Sequence, residues 1–328
     1  MSTSVVVVAC RRHPWLVPCL ESVMDQADDV VVVDNGSPGR WAADEARRLG
    51  ARPVTLERNV GFPGGVNAGL RLARGDVVAL LNDDAFAGDG WLKSATEALR
   101  DPTVGAVAPK LLLAWPHLEI RFDDEPWFAP PDGRSFGRQL WAVTVGGEDV
   151  LPALFGPGVH RLEEADEDGR RSRWRWTSGR EPFYVPLPAG ADPDAVLING
   201  ERVEGRVVEL VNNAGSYLSA EGHAGDYGFL AHDGPAFDEP ADRFAACGAA
   251  MVVRAETLGR LGGFAGSFFA YYEDTDWCWR AQLAGLRVRY EPGTVVRHVR
   301  SVSTGPNLNV KLLAARNRLH CLARNAPL

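Results

Sequence analysis

Residues 77–85 read Val77-Val78-Ala79-Leu80-Leu81-Asn82-Asp83-Asp84-Ala85, five apolar residues closed by three polar ones. A short, unbroken apolar run of this kind is the pattern of a strand buried on both faces, as in a parallel sheet. Upstream the pattern occurs twice more, at Val5 to Ala9 and at Val30 to Val33, the latter ending in Asp34-Asn35-Gly36-Ser37. Between those runs Leu16, Cys19, Leu20 and Val23 recur at helical spacing within Trp15 to Met24. The spacing also predicts helices at Arg40 to Leu49 and at Gly64 to Ala73, with a strand at Pro53 to Leu56 between them. Strand and helix in alternation imply an α/β domain with parallel strands. Such sheets bind ligands beyond the carboxyl ends of their strands, where polar clusters of this chain fall.

The chain has 328 residues, 45% hydrophobic and 24% charged, which suits a globular protein of one large domain or two ordinary ones. A net charge of -8 argues against a nucleic-acid binder working through a positive field. Five scattered cysteines without a CxxC pair suggest neither a disulfide framework nor a zinc ribbon, and fit a reducing compartment. The N-terminus lacks the basic region of a secretory leader, and no run reaches the length of a membrane span, so a soluble or at most peripheral chain is expected.

Between 115 and 209 the texture changes. This stretch carries 18 acidic against 11 basic residues, and short alternating runs (Trp141 to Val145, Ser172 to Thr177, Phe183 to Leu187, Val196 to Ile198) are separated by turn signals such as Asn199-Gly200. It reads as a β-rich insertion, with Glu163 to Arg173 as a charged hairpin connection and the tryptophans as core. From Val211 the α/β texture returns, which divides the chain into 1–114 with 210–328 and an insertion at 115–209.

Several clusters could carry chemistry. Asp34 at a strand end suits acceptance of hydrogen bonds from a nucleobase or ribose, or an Asx-turn that closes the strand. A dinucleotide fold would need G-x-G-x-x-G after the first strand, whereas that strand ends in Ala9-Cys10-Arg11-Arg12. Asn59 to Gly69 (NVGFPGGVNAG) offers glycines and a helix N-terminus for close approach of a ligand, or a tight strand-to-helix turn. The adjacent carboxylates of Asp83 and Asp84 repel each other unless a cation or donors compensate them, which points to a hard divalent ion or to a capped turn. Glu273, Asp274 and Asp276 at a helix start have a capping explanation, yet the flanking Phe268 to Tyr272 would hold one acid in semi-apolar surroundings, poised as a general base. His298 closes another apolar run.

Taken in order, VVVDNGS, NVGFPGGVNAGL, LLNDDA, GAAMVVRAETLGRLGGF, FFAYYEDTDWCWRAQLAGL and the late His298 resemble the family 2 glycosyltransferases. The resemblance is particularly to the bacterial rhamnosyl- and galactofuranosyl-transferase-like branch. The resemblance covers residues 4–114 and about 211–325. It implies a GT-A fold, a Rossmann-like mixed sheet, here with the β-rich insertion. It also implies an inverting enzyme that moves a sugar from a UDP- or dTDP-type donor to a hydroxyl of a glycan or lipid-linked acceptor, using Mn²⁺ or Mg²⁺, in cell-surface polysaccharide or glycoconjugate synthesis. Asp34 matches the acid that contacts the base, Asp83 the ribose contact, Asp84 and His298 the metal ligands, and Asp274 the general base. Gly248 and Ala249 would leave room for the donor sugar. Ala9, Arg11, Asn35, Gly61, Phe62, Asn67 and Asn82 fall on the donor side, and Glu273, Asp276 and Trp277 on the acceptor side. The competing reading is a non-catalytic glycan-binding protein on a degenerate GT-A scaffold.

The residues from Pro292 onward hold six Arg/Lys and no acid. Within 307–325, Leu308, Leu312, Ala315, Leu319 and Leu322 share one helical face, with Lys311, Arg318 and Arg324 largely off it. Such a helix suits either docking on its own domain or peripheral contact with an anionic membrane, which would put a cytoplasmic protein at the inner face of the plasma membrane.

Overall fold

The structure, a computed structural model, describes residues 1–128, 133–167, 170–299 and 310–326. The chain divides into two compact units, residues 1–114 with 211–328, and residues 115–210.

The first unit is built on a mixed sheet, ten-stranded among the described residues. Its strands are β1 (Thr3–Ala9), β2 (Asp29–Asn35), β3 (Arg52–Leu56), β4 (Val77–Asn82), β5 (Ala85–Ala87), β6 (Val104–Leu113), β7 (Val211–Asn213), then, after the hairpin β8 (Ser216–Leu218) and β9 (Ala224–Asp226), β10 (Ala241–Arg243), β11 (Ala250–Arg254) and β12 (Arg287–His298). The order is β10-β12-β6-β11-β4-β1-β2-β3, with β7 on β6 and β5 on β12. β1 to β4 are mutually parallel, β11 runs antiparallel between β4 and β6, and β12 is parallel to β6. The carboxyl ends of β4, β6 and β12 and the start of β11 therefore share one edge of the sheet.

The continuous apolar strands arise because both faces are covered. Val5, Val7 and Ala9 of β1 join Leu16 and Leu20 of α1 (Leu16–Met24) and Trp91 of α4 (Trp91–Ala98) on one face. Val6 and Val8 join Val66 of α3 (Phe62–Leu70) and Trp277 of α6 (Glu273–Leu283) on the other. Burial of each such large side chain contributes roughly 1.5–3 kcal/mol. The remaining helices are α2 (Trp41–Arg48), α5 (Ala255–Leu261) and α7 (Val310–Asn325).

The Gly-rich turn into α3 is a tight strand-to-helix turn, one of its two sequence readings. A Cβ on Gly69 would overlap Val6 and lie 3.1 Å from Val33 Cγ2, and one on Gly65 would lie 2.6 Å from Val8 Cγ1. These glycines bring the helix onto β1 and β2 and do not face a ligand. Gly61, with φ +82°, faces the Phe269 backbone.

The second unit consists of small antiparallel sheets around Leu118, Ile120, Leu140, Val143, Phe183 and Ile198. Its tryptophans are not that core. Trp127 and Trp141 are exposed, and Trp127 instead stacks on Phe136, with Trp176 edge-on to both rings. The charged run at 163–173 is itself a hairpin, Glu163–Glu167 against Arg170–Trp176, because opposite charges such as Glu164 and Arg171 meet across the strands.

Helix α7 is turned over relative to the expected docking through leucines. It buries Asn317, Cys321 and Asn325, one residue per turn, while Leu312, Ala315 and Leu319 are exposed; Leu308, expected on that face, lies outside the described residues. Among the described residues no helix is long and apolar enough to cross a membrane.

Replacing Gly69 by Ala is expected to lower stability by about 1–3 kcal/mol through overpacking against Val6, read as a fall in the urea midpoint at unchanged slope. An unchanged midpoint would show that α3 can move off the sheet freely.

Candidate active site

The shared edge of the sheet gathers the residues that the motifs singled out. β4 ends at Asn82, and the chain turns through Asp83 and Asp84, both buried, into β5. β12 ends at His298, which pairs with Ala85 of β5 and Leu113 of β6, so His298 arrives beside Asp84. Its Nε2 lies 3.2 Å from Asp84 Oδ1 and 3.3 Å from Asn82 Nδ2, while its Nδ1 lies 2.8 Å from Asn212 Oδ1. An amide oxygen only accepts, so Nδ1 carries a proton, and Nε2 faces the Asn82 amide and the Asp84 carboxylate. An imidazole nitrogen oriented by an outer oxygen, beside a buried carboxylate, is a donor set that suits a divalent ion. Among the described residues no cluster of three or more His, Cys, Asp or Glu is set to hold a metal.

Asp83 is engaged differently. His13 Nδ1 accepts the Trp15 N–H at 3.2 Å, which leaves Nε2–H to donate to Asp83 Oδ2 at 2.9 Å. Burial pushes the Asp83 carboxyl up, and the His13 bond opposes that push. His13 was not singled out in the sequence, although it stands four residues past the end of β1; only the register of β1 against β4, Val8 opposite Asn82, puts it at this edge.

Several expected donor contacts are spent within the fold. Asp34 has no exposed surface and accepts Ser37 N–H at 2.7 Å, Ser37 Oγ–H at 2.9 Å and Ala43 N–H at 3.2 Å. It is an Asx-turn that also caps α2. The Asn35 amide holds the Asn59–Gly61 turn through Asn59 Oδ1, Gly61 O and Val60 N. The Asn67 amide holds both backbone groups of Phe264. Ala9 lies in the core, whereas Arg11 is exposed just beyond the end of β1.

The candidate base is reached through backbone pairing. Asn82 N–H donates to Ala249 O at 2.8 Å, which extends the β4/β11 ladder past its last strand pair, Ala250 with Leu81. The next residue, Gly248, donates its N–H to Asp274 Oδ2 at 2.8 Å. Asp274 Oδ1 accepts Thr275 N–H at 2.6 Å, so both carboxylate oxygens are oriented. Burial raises the Asp274 carboxyl, these N–H groups pull it back, and Asp226 of hairpin β8/β9 raises it further. A Cβ on Gly248 would sit 3.3 Å from the Phe62 ring and 3.4 Å from Asp274 Oδ2, so glycine keeps this corner open.

Of the acceptor-side residues, Glu273 is buried, its Oε2 has no hydrogen-bond partner, and burial pushes its carboxyl up to about 8. Asp276 and Trp277 do not face an acceptor. Both have no exposed surface; Asp276 is taken by Arg280, Arg324 and Asn325, and the Trp277 indole donates to Gly262 O. One face of α6 must cover the sheet and another must receive α7, which leaves its first residues for the site.

Residues 4–114 match the model of glycosyl transferase family 2. Along its length the chain is similar to GalNAc-T7, solved with UDP, GalNAc and Mn²⁺, at 13% identity and a TM-score of 0.58, covering 98% of this chain and 48% of that one. The chain has the GT-A glycosyltransferase fold. It spans about half the length of GalNAc-T7. A mannosyltransferase from Pyrobaculum calidifontis, solved with GDP-Man and Mn²⁺, aligns at 16% identity and TM-score 0.47 over 92% of this chain and 58% of its own. Glucosyl-3-phosphoglycerate synthase from Mycobacterium tuberculosis, solved with Mn²⁺, UDP and phosphoglyceric acid, aligns at 21% identity and TM-score 0.30 over 34% of this chain and 43% of its own. Among curated proteins none matches the chain. The family match ends at Ala114, so β11, α6 and β12, which carry Gly248, Asp274 and His298, lie beyond it.

Glu273 makes the stability of this GT-A domain depend on pH. With its carboxyl at about 8 against an ordinary 4.5, the folded chain holds a proton that the unfolded chain releases, so stability is lost as pH rises between those values. Glu273→Gln, uncharged throughout, should gain on the native protein across that window by up to roughly 1.4 kcal/mol per pH unit. Urea melts at pH 5.5 and pH 8 check this, and parallel pH profiles of the two proteins would contradict it.

Proposed function

We propose that the chain is an inverting, divalent-metal-dependent glycosyltransferase. It moves a hexosyl or deoxyhexosyl unit from a UDP- or dTDP-type donor to a hydroxyl of a glycan or lipid-linked acceptor, as in the rhamnosyl- and galactofuranosyl-transferase-like branch, for cell-surface polysaccharide or glycoconjugate synthesis. The observation that carries this reading is the convergence at one sheet edge of a carboxylate–imidazole pair, Asp84 with His298, and a separately oriented carboxylate, Asp274 on Gly248 N–H.

In this reading the split α/β unit is catalytic and the β-rich unit is its insertion. Asp84 and His298 would hold Mn²⁺ or Mg²⁺, which supplies charge stabilisation for a departing diphosphate. Asp83 and Asn82 border the donor, with His13 fixing one Asp83 oxygen. Gly248 and Ala249 floor the place of the sugar. Asp274 takes the proton of the acceptor hydroxyl as its oxygen bonds to the anomeric carbon from the face opposite the diphosphate. The bond from that carbon to the diphosphate oxygen breaks, its electron pair leaving with the nucleoside diphosphate. One displacement inverts the centre and needs no nucleophilic side chain. Burial makes Asp274 a stronger base than a solvated aspartate. The exposed Leu312 and its neighbour Lys311 on α7 support a location at the inner face of the plasma membrane.

Asp274→Asn should lower kcat by about 10²–10⁴-fold and leave calorimetric binding of UDP with Mn²⁺ within a factor of about two. Turnover equal to the native protein would remove Asp274 as the base. In Asp84→Ala, and in the native protein after EDTA, the Mn²⁺-dependent part of UDP binding should disappear; unchanged binding would break the metal assignment. Glycan binding by the native protein without turnover of any donor in a UDP- and dTDP-sugar panel would favour the non-catalytic alternative.

A further inference from the structure

The loop before Asp274 adopts an unfavourable backbone. Phe269 (φ +66°), Tyr271 (φ +69°) and Tyr272 (φ +73°) are all in the left-handed region, which side chains larger than glycine enter only when their surroundings impose it. The loop runs between the short 3₁₀ turn Gly266–Phe268 and the start of α6, so its carbonyls have no ladder to join. They turn instead to one side chain of α7. Asn317, without exposed surface, sets its Nδ2 2.9 Å from Phe268 O, 2.7 Å from Ala270 O and 2.8 Å from Tyr271 O. Two amide protons are shared among three acceptors. The Asn317 Oδ1 accepts from Arg316 Nε at 2.9 Å and Nη2 at 2.7 Å, and Arg316 Nη2 also donates to Phe268 O at 2.8 Å.

The same helix holds the other side of the candidate base. Arg324 Nε and Asn325 Nδ2 donate to Asp276 Oδ1 at 2.7 and 2.8 Å, two residues past Asp274. Across the loop, Phe269 O accepts the Phe62 N–H at 2.7 Å at the start of α3, which ties the loop to the Gly-rich turn. Asp274 therefore starts α6 between two sets of α7 contacts, neither of which touches its carboxylate.

We propose that α7 is a strut for the Asp274 carboxylate and that Asn317 is its positioning residue. By fixing the Phe268–Tyr271 backbone, Asn317 sets where α6 begins, and so keeps Asp274 Oδ2 on the Gly248 N–H. Asparagine suits the place because it donates to carbonyls on one side and accepts from a guanidinium on the other; aspartate has the same shape and no donor. The link to turnover rests on the proposed function, whereas the strut itself does not.

The test compares Asn317→Asp, the milder Asn317→Ser that keeps one donor, and Leu319→Ala on the exposed face of α7. Hydrogen exchange is followed in peptides covering 266–276 and Gly248, and kinetics with whichever sugar donor the native protein turns over in the presence of Mn²⁺. Asn317→Asp should speed exchange in both peptides about tenfold or more and lower kcat about 10- to 100-fold with donor KM within about twofold. Asn317→Ser should shift both in the same direction by less, and Leu319→Ala should change neither. If Asn317→Asp does not fold, the Ser variant decides on the same readouts. Native-like exchange at Gly248 overturns the strut, as does faster exchange with native kcat. If the native protein turns over no donor, the proposed function fails, and Gly248 exchange still decides the strut.

Discussion

The hydrogen bond from Asn82 N–H to Ala249 O is the constraint on which the site depends. Asn82 ends the fourth strand of the N-terminal segment, and Ala249 precedes the first central strand after the insertion, so this contact registers the two segments of a split unit. One residue further, Gly248 reaches Asp274; two further along the other strand stands Asp84, which meets His298. A strand slip of one residue would exchange the side chains packed on one face of the sheet with those packed on the other and carry Gly248 away from Asp274. The apolar ladder of Leu81, Leu80 and Ala79 against Ala250, Met251 and Val252 makes that slip costly.

Around this register the chain assembles more negative charge than burial favours. Asp83, Asp84 and Glu273 are all buried, and Asp274 stands beside Glu273. Each carboxylate has a different compensation. Asp83 takes His13, Asp84 faces His298, Asp274 takes two backbone N–H groups, and Glu273 keeps its proton up to about 8. Groups that sit so close and differ in environment separate into roles, since environment sets which one ionises. The polar residues outside this edge do structural work: Asp34 caps, Asn35 and Asn67 close turns, and Asp276 receives α7.

The strand and helix pattern of the first unit was legible because a strand covered on both faces must be apolar throughout, and α1, α2 and α3 stand within two or three residues of the spans read from periodicity. The motifs at 82–84, 248, 274 and 298 could be read for the same kind of reason: each stands at the end of an apolar run or at a helix start, where a buried side chain has no alternative. Asp34 left two readings open because an Asx-turn and a base contact use the same residue at the same place. The glycines of α3 did so because helix-on-sheet contact and ligand approach both require a missing Cβ. In the insertion, Trp127 and Trp176 proved to cluster with Phe136 outside the core because Leu, Val, Ile and Phe183 already fill it.

What the sequence determined by itself was the alternation of elements and the identity of the groups at strand and helix ends, since both follow from local periodicity and from what a buried strand excludes. Which of those groups face one another was decided by tertiary structure alone. His13 with Asp83, Asn212 with His298, and Asn317 with the Phe268–Tyr271 carbonyls are separated by 70, 86 and 46 to 49 residues respectively. No local rule connects such pairs. They meet because strand register and the turned-over packing of α7 bring distant polar groups to one edge, where an unpaired donor or acceptor would cost more than the chain can spare.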